Sequence, residues 1–435
     1  MSAPVVGTVR VPGSKSATNR ALILAALADG PSRLSDPLLS RDTALMAAGL
    51  RACGVGLDDA GAGRWTVSPD GGPGSADGPT DRPTGGPTDG PALVDCGNAG
   101  TVARFLPPAA AVLPVPAVRF DGDPRMRERP LGPLLTALAD LGATIDDAGR
   151  GAMPFTLHAP AGLRGGEITL DASSSSQLVS GLLLAAPRSA RGIVVRHVGP
   201  PIPSAPHLRM TVAMLRENGA EVDDTTPDVW SVAPGGLRAV DRAIEPDLSS
   251  ASAFLAAAAA TGGRVTLEGW PAATEQPGRL LPELLEAFGC RCSVEDGRFT
   301  VQGPERLRGV DLDLHEYGEA TPTLCALAVL ADSPSRLRGV AHLRLQETDR
   351  LAALAEEFGR LGAAVEVTAD GLAVSPAPLR GGTLDPRADH RLAMAYAVVG
   401  LVVPGVQVLD IGTTGKTVPD FPARWTALVA ARPAG

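Results

Sequence analysis

The chain repeats itself, and that restricts its fold more than any other property. Six Ala- and Leu-rich stretches each end at a Gly, Pro or Ser turn and lead into a β-branched run: Ala21–Asp29, Thr101–Leu113, Gln177–Ala186, Ala251–Ala260, Thr323–Ala331 and Arg391–Val402. Their ends recur about every 70 to 85 residues. Between them sit amphipathic stretches that also run through a turn into a strand, namely Leu138–Ile145, Met214–Val222, Leu284–Val294 and Leu354–Val367, with Ala47–Leu57 as a looser copy. Self-similarity at a fixed period means stacked supersecondary units that share a core. Six copies with two helices apiece predict an α/β fold of two three-unit domains, a division that 435 residues at 44% hydrophobic content can support. One tract breaks the pattern. Pro69–Pro91 is Gly, Pro, Thr and Asp with few apolar residues, and it predicts a disordered surface insertion.

Of the 39 basic residues only Lys15 and Lys416 are lysines, and both lie among Gly, Ser and Thr, in Gly13-Ser14-Lys15-Ser16 and Gly415-Lys416-Thr417. An Ala-, Gly-, Pro- and Arg-rich background of this kind converts any replaceable lysine to arginine. Arginine is a wide fork that stays charged, whereas lysine is a compact ammonium that can exchange a proton. Both positions are expected to need that property.

Composition removes several function classes. A net charge of −9 and 3% aromatic residues do not suit a nucleic-acid surface, which needs a basic face and stacking rings. Cys53, Cys96, Cys290, Cys292 and Cys325 are sparse and odd in number, which fits a reducing compartment. Cys290 and Cys292 would share a strand face, but with no His beside them no metal site is expected. The opening residues show neither a charged n-region nor an apolar h-region, and the longest apolar stretch, Leu392–Val403, is too short for a bilayer. A cytoplasmic monomer without membrane contact is the expectation.

The chemistry gathers at helix starts. A positive charge there opposes the macrodipole at a cost of ~0.3–1 kcal/mol, and makes sense where an anion binds. Lys15 and Arg20 flank the first Ala-rich helix, Arg350 opens a helix near Thr348, and Arg391 opens one after Asp389. Lys416 lies in a Gly/Thr loop and Arg125 in Asp123-Pro124-Arg125-Met126-Arg127-Glu128-Arg129-Pro130. The competing reading is that Glu347, Asp349, Asp389 and Glu128 neutralise these charges as surface pairs. Recurrence in both halves of the chain speaks for anion sites. Ser173 to Ser176 followed by Gln177 converge hydroxyls and backbone N–H groups on one point, whereas Ser249-Ser250 reads as a plain N-cap. Cys96-Gly97-Asn98-Ala99-Gly100-Thr101 is a tight turn into a helix, with Gly100 allowing close approach of a ligand.

These strings, in order, resemble one family: EPSP synthase, 3-phosphoshikimate 1-carboxyvinyltransferase. They are Pro12-Gly13-Ser14-Lys15-Ser16-Ala17-Thr18-Asn19-Arg20, Gly97 to Thr101, Pro124 to Pro130, Ser175-Ser176-Gln177, Glu347-Thr348-Asp349-Arg350, Asp389-His390-Arg391 and Lys416 to Phe421. The resemblance runs from about Gly7 to Trp425. It implies a two-domain inside-out α/β barrel with three βαβαββ units per domain and an active site in a cleft that closes on substrate. Crossovers are implied near Pro12–Ser14 and Ile244–Asp247, giving one domain from 1–13 plus 245–435 on the phosphoenolpyruvate side. The other, 14–244, is on the shikimate 3-phosphate side.

By the same resemblance, shikimate 3-phosphate is held by Lys15, Ser16, Arg20, Ser175, Ser176, Gln177, Ser204 and Glu319, with His342 and Gln346 at two further acceptor positions. Phosphoenolpyruvate is held by Lys15, Gly100, Arg125, Gln177, Arg350, Arg391 and Lys416. The implied reaction adds the acceptor 5-hydroxyl to C2 as C3 is protonated, then expels phosphate as that proton is removed. Catalytic roles fall to Glu319 at the acceptor hydroxyl, Glu347 at C3 and Lys15 at the leaving phosphate, with no metal or cofactor. The chain departs from the family pattern in carrying Glu319 for Asp, His342 for Asn, His207 for Tyr, Gln346 for Lys, Arg209 for an often acidic residue and Phe105 for Pro. A P-loop reading of Gly415-Lys416-Thr417 would need Gly where Asp410 stands. The sister UDP-N-acetylglucosamine enzyme carries Asn after the first lysine and a reactive Cys near Arg125, whereas this chain has Ser16 and no Cys from Phe105 to Arg279. A silent paralogue, or an enzyme for another cyclitol-like acceptor, stays open because Gln346 removes a charge.

Overall fold

The computed structural model describes residues 3–59, 61, 63–71 and 90–431, so most of the Pro69–Pro91 tract lies outside the described residues. The chain divides into two compact units, Met1–Ser14 with Glu245–Gly435, and Lys15–Ile244. Each has its own apolar core.

In the Lys15–Ile244 unit three helices, Lys15–Ala26, Gly100–Ala110 and Gln177–Ala185, pack against one another. Beyond its first residue every side chain of Gly100–Ala110 is buried. A helix that is predominantly apolar, with no polar face to give to water, belongs in the middle of a fold. Around them stand three four-stranded sheets. In one, Ala92–Asp95 pairs parallel with Ala117–Asp121, next to which come Phe155–His158 and then Thr144–Asp146, both antiparallel. A parallel pair needs a long crossover, which the helix Gly100–Ala110 supplies, and the amphipathic helix Gly132–Asp140 leads into the closing hairpin. The sheet of Gly166–Leu170, Ile193–His197, Val229–Val232 and Val222–Asp223 repeats this βαβαββ order. The third sheet takes its first strand, Arg242–Ala243, from the far end of the segment.

The other unit repeats the plan with the inner helices Leu248–Thr261, Thr321–Val329 and His390–Gly400. Two of its sheets have four strands, and the first opens with Val6–Val9 from the chain start. The last repeat is shorter: Thr383–Leu384 and Gln407–Val408 pair, and the helix Phe421–Ala430 follows in place of a hairpin. The segments around Gly13 and Pro246 pair antiparallel, Ser14 N donating to Glu245 O at 2.8 Å and Asp247 N to Pro12 O at 2.8 Å.

Two of the inner helices begin several residues earlier than the apolar runs suggest, at Lys15 rather than Ala21 and at Leu248 rather than Ala251. Their first turns are polar, and hydrophobic periodicity does not register polar residues. Ser249 and Ser250 therefore lie inside a helix whose cap is Asp247, which accepts from Ser250 N at 2.8 Å. The helix starts gather at one end of each unit. Asn19 donates to Thr101 Oγ1 at 2.6 Å in one, and the Ser252 and Thr323 hydroxyls lie 3.1 Å apart in the other.

Candidate active site

In the Lys15–Ile244 unit Lys15 stands first in its helix, its Nζ 3.1 Å from Asp42 Oδ2, both side chains largely withdrawn from water. Asp42 lies in the first turn of the helix Arg41–Ala52 and escaped the sequence reading, because a lone Asp in a first turn looks like a dipole partner. Ser16 follows Lys15. Arg20 is turned fully inward. Its Nε donates to Thr211 Oγ1 at 2.7 Å, Nη1 to Ser16 O at 3.0 Å and Nη2 to His207 O at 3.0 Å. Its guanidinium sits 4.9 Å from the centre of the Phe105 ring, which gives that departure a reason: Phe105 forms one wall of the Arg20 socket.

Gly100 begins the next inner helix under a canopy of side chains. A β-carbon there would lie 3.0 Å from Arg104 Nη1, Arg129 Nη2 and Gln177 Oε1. Arg104 and Arg129 are buried, and sequence reasoning missed both as site residues. Arg125, on the short helix Pro124–Glu128, makes an exposed pair with Glu128 at 2.8 Å. Ser175 and Ser176 lead into the third inner helix, where Ser175 Oγ accepts from Gln177 N at 3.3 Å. Ser204 has φ +55°, a left-handed conformation that costs a non-glycine residue roughly 1–2 kcal/mol.

In the other unit the charges form a ladder. Lys416 Nζ lies 2.9 Å from Glu347 Oε1, Glu347 Oε2 lies 2.8 Å from Arg350 Nη2, and Arg350 Nε lies 2.7 Å from Asp389 Oδ2. Asp389 also caps the helix His390–Gly400 by accepting from Arg391 N at 2.9 Å, which places Arg391 beside the ladder. Burial pushes the Arg350 guanidinium down, but Asp389 and Glu347 more than offset it and hold the group above its ordinary range. Glu347 and Asp389 are thus interior partners rather than surface neutralisers, Asp349 is the cap that accepts from Ala352 N, and only Glu128 forms the exposed pair that the competing reading required.

Glu319 is half-buried in the turn His315–Ala320 that leads into an inner helix, and Gln346 is half-buried next to Glu347. His342 packs on the backbone before Glu319, its Nε2 only 2.6 Å from where a β-carbon of Gly318 would be. Burial lowers its pKa to about 4, with Glu319 opposing and His315 and Arg350 assisting. The imidazole is therefore neutral near pH 7. With a folded pKa depressed from 6.5 to about 4, its stabilising contribution is complete above pH 6.5 and is lost as pH falls through 4. The whole change is worth about 3 kcal/mol. His342→Gln is expected to flatten the loss of stability between those pH values in urea titrations, and an unchanged acid limb would show that other groups dominate it.

The thiols of Cys290 and Cys292 are pushed up to about 12, chiefly by burial, which keeps them protonated. Among the described residues no group of three or more His, Cys, Asp or Glu is placed to hold a metal ion, and no helix is long and apolar enough to cross a membrane.

Comparison with known proteins places this arrangement. Residues 1–425 match the model of the family described as EPSP synthase (3-phosphoshikimate 1-carboxyvinyltransferase). The 3-phosphoshikimate 1-carboxyvinyltransferase of Kocuria rhizophila is 50% identical over 428 residues, 98% of this chain and 94% of that one. That of Mycobacterium ulcerans is 49% identical over 432 residues, 98% and 96% of the two chains. In fold the chain is similar to the EPSP synthase of Acinetobacter baumannii, at a TM-score of 0.78 and 24% identity over 98% of this chain and 96% of that one. It is also similar to the enolpyruvyl transferase NikO from Streptomyces tendae, at 0.74 and 22% over 98% and 95%. The polar starts of six buried helices and half-identity to two curated relatives along nearly the whole chain lead to one conclusion: it belongs to the EPSP synthase (3-phosphoshikimate 1-carboxyvinyltransferase) family.

Proposed function

We propose that the protein transfers the enolpyruvyl group of phosphoenolpyruvate to the 5-hydroxyl of shikimate 3-phosphate and releases phosphate. The observation that carries this reading is the ladder Lys416–Glu347–Arg350–Asp389, with Arg391 beside it. It is a largely buried cationic cluster in a chain of net charge −9, with one carboxylate, Glu347, held between two cations. Arg350, Arg391 and Lys416 suit the carboxylate and phosphate of phosphoenolpyruvate, since guanidinium and ammonium groups bind such oxygens through charge-assisted bonds. Lys15, Gly100, Arg125 and Gln177 complete that set. Glu347 exchanges the proton at C3, Glu319 takes the acceptor proton, and Lys15 protonates or stabilises the departing phosphate. Ser16, Arg20, Ser175, Ser176, Gln177 and Ser204 receive the acceptor with His342 and Gln346, and Arg20 also braces Ser16 by donating to its carbonyl. The unit built from both chain ends serves phosphoenolpyruvate and the Lys15–Ile244 unit the 3-phosphate. Proton transfer and charge stabilisation are all that addition and elimination require, so the reaction needs no cofactor; the sparse, odd-numbered cysteines suit a reducing compartment, and we read the enzyme as a monomer of the cytoplasm.

Gln346 favours a second reading, in which the acceptor is another cyclitol-like alcohol, because an amide stands where the family pattern has a cation. Phosphate release with the two acceptors decides between them. Charge-assisted hydrogen bonds contribute ~1.5–3 kcal/mol each, so shikimate 3-phosphate is expected to exceed shikimate by about a hundredfold or more in kcat/KM. A ratio below about ten, or turnover only with another alcohol, would select the second reading.

A further inference from the structure

We propose that His197 is a positioning residue for the 3-phosphate of the acceptor, a role that rests on the acceptor-site assignment of Ser175, Ser176 and Ser204. His197 ends the strand Ile193–His197, and its ring lies in the seam between the two loops that carry those serines. Its Nδ1 accepts from the backbone N–H of Ala172 at 3.2 Å. Its Nε2 lies 2.8 Å from the carbonyl of Pro200. A carbonyl can only accept and an amide N–H can only donate, so one neutral tautomer, protonated on Nε2, satisfies both loops at once.

Each bond leads on to a serine. The carbonyl of Ala172 accepts from Ser175 N at 3.0 Å, so a shift of Ala172 is passed directly to the turn that presents Ser175 and Ser176. On the other side Pro200 begins the approach to Ser204, whose strained φ of +55° persists only if its surroundings are held firmly. The loops also touch beside the ring. Gly199 has φ +111°, and a β-carbon on it would lie 3.1 Å from Asp171 Oδ1, the oxygen that accepts from Ser173 N.

An ordinary core histidine would contribute packing area and could be exchanged for an apolar ring without touching specificity. His197 instead joins the main chains of both serine loops, and three hydroxyls hold one phosphate only if those loops keep their spacing. A phosphate site whose donors drift apart loses charge-assisted bonds, while contacts to the sugar-like ring of the acceptor are unaffected.

The test is calorimetric titration of the full-length protein with shikimate 3-phosphate and with shikimate, alongside steady-state kinetics. His197→Ala is expected to weaken shikimate 3-phosphate binding by about tenfold or more, the effect of one lost charge-assisted bond. Shikimate affinity and the KM for phosphoenolpyruvate should stay within about twofold. His197→Asn, whose amide oxygen can still accept from Ala172 N, should recover most of the loss, and His197→Gln, which reaches toward Pro200, less of it. Equal weakening of both acceptors, or a lower melting temperature with both affinities unchanged, would make His197 a packing residue and overturn the proposal. A His197→Ala variant that does not fold leaves the Asn and Gln pair to decide, since equal affinities in those two would also overturn it. If the unsubstituted protein itself does not distinguish the two acceptors, the acceptor assignment fails, and this inference with it.

Discussion

Lys15→Arg and Lys416→Arg are each expected to lower kcat/KM by about a hundredfold or more while leaving the fold intact. The two lysines are the only ones in a chain that otherwise uses arginine, and each ammonium is packed against a carboxylate, Asp42 at 3.1 Å and Glu347 at 2.9 Å. A guanidinium keeps the charge but is wider, so it must displace either that carboxylate or the substrate. It also cannot release its proton, which matters most at Lys15, the group assigned to the departing phosphate. Phosphate release under saturating and limiting phosphoenolpyruvate separates the two cases. Lys15→Arg should act mainly on kcat and Lys416→Arg on both parameters. Circular dichroism melts within a few degrees of the parent would confirm that folding is preserved. Near-normal activity in both variants would remove the argument from lysine retention.

Asp389→Ala should bring the largest loss of stability, about 3–5 kcal/mol, because deleting one member of a buried ion pair leaves the other charged and poorly solvated. Asp389 is completely buried and Arg350 nearly so, and the same carboxylate caps the helix that begins at His390. Loss of the cap alone contributes about 1 kcal/mol. Asp389→Asn keeps one acceptor oxygen, enough for the Arg391 N cap or for Arg350 Nε but not for both, since Asp389 uses a different oxygen for each, and should therefore cost less than Asp389→Ala. The measurement is the urea midpoint at constant m value. A shift worth less than about 1 kcal/mol would show that Glu347 alone satisfies Arg350.

The ladder shows where a linear reading stops. Glu347, Arg350, Asp389, Arg391 and Lys416 could all be picked out as chemistry, since a basic residue at a helix start is costly without an anion. Whether Glu347 and Asp389 were solvated neighbours or interior partners could not be read, because burial depends on which helices stack over them. Asp42 and Arg129 escaped for the same reason: Asp42 lies 27 positions from Lys15 and Arg129 lies 29 from Gly100, and each becomes relevant only when two elements meet. His197 carried no signal at all.

The fold was legible because it is periodic. Apolar runs with turns at both ends, repeated six times, determine buried helices, strands beside them and a division into two halves, since each run must find a partner to cover it. The shortened last repeat, the early polar starts of two inner helices and the inward turn of Arg20 were settled only by packing. Local propensity acts over a few residues, whereas a charge or a polar turn is placed by neighbours that the chain brings in from far away, and it is those placements that make a binding site out of a scaffold.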